Sequence, residues 1–160
     1  NVKNSYRLIL YGNTISNEKW NQLGLSEIAE YRGWLDYSKD VSTLKDIDVF
    51  LQLLDDNNVS KAGWPNKLGD YLAFGKPVIL SPYGDIIDFV KNEKGFFIVE
   101  YNKYSILKIL QEIKDIPYSD LKTMGYANRQ LAEKISWKNR AKNIEYICNK
   151  IRFNNETVKN

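Results

Sequence analysis

The sequence predicts a doubly wound α/β fold, a parallel sheet with helices on both faces, and three observations predict it. Five short apolar runs recur along the 160 residues, separated by segments with helical spacing or helix-start signals. Most of these runs are continuous rather than alternating, as suits parallel strands covered on both faces. Glycine or proline stands at several of their ends, at Gly12, Gly33 and Pro77.

Taken in order, Tyr6 to Gly12 (YRLILYG) gives a first strand over 6–11, and a helix over 16–24 follows. A second strand over 29–34 runs into Gly33, Trp34 and Leu35, and a helix is expected over 41–46. Val49, Phe50, Leu51, Leu53 and Leu54 make a buried strand over 48–54, followed by a polar loop with Asp55 to Asn58. Pro65 suits the first turn of a helix over 65–74, because its missing N–H has no intrahelical partner to lose. That helix ends near Gly75, where glycine accepts a left-handed cap, and Pro77 launches the strand at 77–81. A short amphipathic helix over 84–91, a strand over 96–100 and helices over 104–115, 118–134 and 137–151 complete the pattern.

A chain of this length is expected to form one domain, over 1–151, since domains commonly hold about 100–150 residues. The polar stretch RFNNETVKN, from Arg152 to Asn160, lacks apolar periodicity and is expected to be a flexible tail. The net charge of +3 comes from 23 basic residues spread among 20 acidic ones, so no dense patch marks a nucleic-acid groove. The absence of histidine excludes imidazole bases and imidazole metal ligands within the chain. Cys148 lies between Ile147 and Ile151 and is expected to be a buried core thiol, consistent with a reducing, cytoplasmic setting. No run of some 18 apolar residues is present.

The segment Gly63 to Pro77, GWPNKLGDYLAFGKP, concentrates the chemistry. A helix starting at Pro65 presents unpaired N–H groups and a positive dipole end, which attract phosphate, and Lys67 adds a compact cation. The candidate site therefore includes Gly63, Trp64, Pro65, Asn66, Lys67 and Leu68. Asp70, one turn on, has the carboxylate that a ribose diol requires. The plainer alternative makes Lys67 and Asp70 an i,i+3 surface ion pair worth about 0.2–0.5 kcal/mol. Trp34 and Trp64 suit stacking on a base or sugar, or packing.

These residues resemble the GT-B glycosyltransferases, and within them the large retaining group called family 4 or group 1. In that family an acidic residue, seven others and a glutamate precede a segment like AMACGKPV; here Asp70 followed by YLAFGKPV fills the glutamate's place. The first acidic position falls on Ala62, a departure that leaves its role in handling the sugar unfilled. Pro65, Asn66 and Lys67 are similar to a family variant with proline, a small polar residue and lysine. The strand ends at Gly12 and Gly33 also match in order, as does the stretch from Asn128 and Arg129 through Leu131 and Ala132 to Ser136 and Trp137.

The resemblance implies a Rossmann-like donor-binding domain, the C-terminal half of a GT-B fold, spanning roughly residues 5 to 150 and starting after the family's first strand and helix. Loss of that central strand implies an exposed sheet edge and a possible homo-oligomer. The implied function is binding a UDP- or GDP-linked sugar for transfer, with retention, to a polysaccharide or glycolipid acceptor, as is common in bacteria. Asn66, Lys67 and the adjoining amides would hold the diphosphate, Asp70 the ribose, and the backbone after Gly12, Gly33 and Trp34 the base. No catalytic residue, cofactor or obligatory metal is implied in this chain. The acceptor would sit on an absent domain, at the inner face of the membrane. Two readings compete: a receiver-like phosphate-sensing domain using Asp55 or Asp56, and a degenerate, non-catalytic interaction module.

Overall fold

A computed structural model describes residues 5–13, 16–25 and 27–157. Strands and helices alternate through the first hundred residues: β1 (Leu8–Leu10), α1 (Asn17–Gln22), β2 (Ala29–Tyr31), α2 (Tyr37–Lys45), β3 (Phe50–Gln52), α3 (Asn58–Ala62), α4 (Asn66–Ala73), β4 (Val78–Leu80), α5 (Ile86–Val90) and β5 (Phe96–Ile98). Three longer helices follow, α6 (Lys103–Lys114), α7 (Tyr118–Lys134) and α8 (Trp137–Thr157).

All pairings are parallel, as the continuous apolar runs predict. β3, β4 and β5 form one sheet in that order, with Leu51 opposite Ile79 and Ile79 opposite Phe97. β1 and β2 form a second sheet, with Ile9 opposite Glu30. The expected single sheet is thus present as two, because β1 pairs only with β2, and β3 only with β4, among the described residues.

Helices cover both faces of the three-stranded sheet. Neighbouring side chains on a strand point to opposite faces, and β4 divides accordingly. Val78 and Leu80 join Leu68 and Leu72 of α4, Ile86 and Val90 of α5 and Leu131 of α7. Ile79 faces the other way, packing with Val99 and with Ile113 of α6. Burying a leucine or isoleucine side chain contributes about 1.5–3 kcal/mol, so these two layers hold most of the fold's stability.

α7 grips the turn between α4 and β4. Gly75 ends α4 with φ +64°, and a Cβ on Gly125 of α7 would lie 2.1 Å from the Gly75 carbonyl oxygen, so only glycine permits this approach. Beside it the Arg129 guanidinium donates to the Ala73 carbonyl at 2.6 Å. The buried Asn128 amide donates from Nδ2 to the carbonyls of Lys76, at 2.8 Å, and Gly95, at 2.9 Å. The stretch around Asn128, read from the sequence only as a resemblance, is therefore what fixes the helix at the candidate site.

Three expectations are corrected. A helix, α3, follows the loop after β3, capped by the Asn57 side chain accepting from Ser60 N at 2.9 Å. Cys148 is exposed, because no described side chain of α8 belongs to the buried clusters and Ile144 and Ile151 are exposed too. Helix α8 continues through Arg152 to Thr157, where a frayed tail was expected; residues 158–160 of that tail lie outside the described ones.

Candidate functional site

The carboxyl ends of the parallel strands build the site, the usual ligand position in such sheets. After β3 the chain passes through α3 and turns at Gly63 into α4. A cavity of about 330 Å³ opens there, lined by Gly63, Trp64, Pro65, Asn66 and Lys67 together with Gln52, Leu54, Val59 and Ser60. Five of the residues expected from the sequence thus share one cavity wall. Leu68 does not: it is fully buried and anchors α4 in the core.

Pro65 occupies the cap position, one residue earlier than the first helical turn it was expected to open, and α4 has no side-chain cap. Leu68 N donates to the Pro65 carbonyl at 2.9 Å, and the N–H groups of Asn66 and Lys67 remain available to an anion. Lys67 is the only charged side chain of the cavity wall and makes no ion pair among the described residues. The Lys67–Asp70 surface pair is therefore not formed.

Asp70 accepts instead from the Tyr37 hydroxyl at 2.6 Å, a bond from the start of α2 to α4. The neighbouring carboxylate pushes the Tyr37 phenol up to about 12. This bond leaves the second carboxylate oxygen, Oδ1, open to another donor. Gly12 and Gly33, both at positive φ, lie just beyond β1 and β2 and meet through Gly12 N donating to Gly33 O at 2.8 Å. The Tyr31 hydroxyl donates to the Gly12 carbonyl at 2.8 Å. Trp34, next in the chain, is 74% exposed and packs on nothing that would hide it.

The two tryptophans therefore differ. Trp64 packs edge-on against Phe89, with ring centroids 5.3 Å apart, and has the Arg140 guanidinium over its ring at 5.7 Å. Ser81, buried at the end of β4, holds the cavity floor through its hydroxyl, which accepts from Leu54 N at 2.8 Å. Tyr37, Ser81 and Arg140 are not among the residues expected from the sequence; only Tyr37 has a local signal, since Asp36 just before it is a good helix cap and accepts from Ser38 N at 2.9 Å. Asp56, one of the two aspartates a receiver-like domain would use, is paired with Lys61 at 2.5 Å. Among the described residues no group of three or more acidic or cysteine side chains is placed to hold a metal ion, and no helix is long and apolar enough to cross a membrane.

No protein-family model matches the chain, and no curated protein matches it. Solved structures do. Sucrose-phosphate synthase of Thermosynechococcus elongatus aligns over 91% of this chain and 38% of its own, with TM-score 0.70 and 16% identity. HepE of Anabaena, solved in complex with UDP, aligns over 81% of this chain and 36% of its own, at 0.61 and 15%. AviGT4, a glycosyltransferase involved in avilamycin A biosynthesis, aligns over 87% and 44%, at 0.53 and 13%. The chain spans less than half the length of each. At these identities the likeness is one of fold, and it agrees with the class read from the sequence: the chain has the Rossmann-like α/β fold that makes up one part of GT-B glycosyltransferases.

Proposed function

We propose that this chain is the donor-binding domain of a retaining glycosyltransferase, binding a UDP- or GDP-linked sugar for transfer to a polysaccharide or glycolipid acceptor. The observation that carries the reading is the cavity at the uncapped start of α4, with a wall bearing one cation and no carboxylate. Such a site favours a phosphorylated ligand over a neutral or cationic one. The fold neighbour HepE was solved with UDP and also with UDP-glucose, which supports the same ligand class.

In this reading the amides of the first α4 turn, Asn66 and Lys67 hold the diphosphate, and Asp70 takes the ribose hydroxyls on its free oxygen. Gly12, Gly33 and Trp34, just beyond β1 and β2, receive the base in the same reading. As the glycosidic bond of the donor breaks, negative charge grows on the departing diphosphate, and fixed donors already aimed there stabilise it without rearranging. No metal is obligatory for that role. Acceptor and acid–base groups come from outside this chain, and the unpaired edges of β1 and β3 suit association with another segment or a second copy. The complete protein works on the cytoplasmic side, at the inner membrane face.

Calorimetric titration with UDP, GDP and CMP, with and without magnesium, tests this. One nucleotide is expected to bind without metal, and Asp70→Ala is expected to weaken it about tenfold, or 1.4 kcal/mol. A folded chain that ignores all three nucleotides would favour the degenerate module signalled by Ala62.

A further inference from the structure

Arg140 lies in the first turn of α8, 76 positions beyond Trp64 in sequence, yet its guanidinium stands over two indole rings. The guanidinium carbon is 5.7 Å from the Trp64 centroid and 5.5 Å from that of Trp137. Trp64 is itself part of the cavity wall and also packs edge-on against Phe89. The exposed Arg140, although not part of the lining, therefore stands against a ring that lines the cavity.

We propose that Arg140 is a second cation for the diphosphate, reaching it from its place against Trp64 and Trp137; the inference rests on the donor-site reading above. Arg7 and Arg32 pair with Glu30, and Arg129 with Glu133, but among the described residues Arg140 meets aromatic faces instead of a carboxylate. A cation–π contact uses the flat face of the guanidinium and leaves its edge, where the N–H donors are, available for a forked pair of bonds to phosphate oxygens. Charge balance points the same way, since a nucleoside diphosphate carries more negative charge than Lys67 alone neutralises. Trp137, 83% exposed, then has a function that packing does not supply: it limits the rotamers of an otherwise free arginine.

The test is titration of the 160-residue chain and its Arg140→Ala, Arg140→Lys and Trp137→Ala variants with UDP, GDP, uridine and guanosine, with thermal melting as the check on folding. Arg140→Ala is expected to weaken diphosphate binding on the order of 10- to 100-fold and leave the nucleoside unchanged. Arg140→Lys is expected to recover part of the loss, because lysine keeps the charge without the fork. Trp137→Ala should show a smaller loss confined to the diphosphate. The proposal is overturned if Arg140→Ala binds the diphosphate within about twofold of the unaltered chain, or if nucleoside and diphosphate weaken together as a structural role requires. An unaltered chain that binds neither nucleotide overturns the donor-site reading, and this proposal with it; normal nucleotide binding by Arg140→Ala sinks this proposal alone.

Discussion

The two-stranded and three-stranded sheets are covered to different depths. All three residues of β4 are buried, while every residue of β1 and β2 is only half-buried. Among the described residues, Leu44 is the one buried apolar side chain that precedes Phe50 in sequence. The β1–β2 half adds partly buried contacts such as Trp20 with Tyr31 and exposed ion pairs around Glu30, whose carboxyl is held below the usual carboxylate range by hydrogen bonds from Arg32 and Arg7. Exposed pairs of this kind contribute little. In the proposed reading the site draws on both halves: the cavity stands at the start of a helix rooted in the core, and Gly12, Gly33 and Trp34 follow the lightly covered sheet, while the Tyr37–Asp70 bond ties α2 to α4. On that reading a rigid anchor would fix the common part of a donor, and a more lightly covered rim would leave the variable part room to differ.

The sharpest way to break this comparison is to make matched truncations in both halves. Leu72→Ala, in a fully buried position of α4, should cost about 2–5 kcal/mol in urea unfolding, and Ile9→Ala in β1 less than about half of that. Equal costs would show that the halves are equally packed. Next in size is Asn128→Ala, which strips the carbonyls of Lys76 and Gly95 of a donor and should destabilise by about 1–3 kcal/mol.

Smaller effects report on the tie between the halves. Tyr37→Phe removes the bond to Asp70 and frees that carboxylate's rotamers, so nucleotide affinity should fall by about two- to fivefold while melting changes little. An unchanged affinity would make the tie irrelevant to the site. The least effect is on pH behaviour. The folded-state value for Tyr37, about 12, lies above the usual value of 10.0, so its stabilising contribution is complete below pH 10 and fades as the pH rises through about 12. Tyr6, Tyr71 and Tyr83 are raised too, so ultraviolet titration should show several late tyrosines, of which one is lost in Tyr37→Phe and moves down toward 10 in Asp70→Ala.

The legible parts of the fold were those encoded locally. The run at Val49 to Leu54, the glycine at 75 and the proline at 77 place β3, α4 and β4 to within a few residues, because each element carries its own boundary signal. α3 was hidden because it buries no side chain, leaving only its Asn57 cap to announce it. Cys148 misled because apolar spacing along α8 says which face would be covered, not whether anything covers it. The division into two sheets depends on pairing between distant strands and has no local signature. The same distinction divides the site: Gly63 to Lys67 were readable as one helix start, whereas Tyr37 reaches Asp70 across 33 positions and Arg140 reaches Trp64 only through packing.

The grip of α7 on the turn after α4 has a consequence for the order of folding. The bond from Asn128 to Lys76 spans 52 positions, and a long loop must close before such a contact yields any stability. Until α7 docks, α4 lacks the partner that seats its carboxyl end, so the cavity at its other end takes shape late, completed by a helix that lines none of it. A chain halted before Gly125 would possess every residue of the cavity wall but lack the helix that seats the far end of α4.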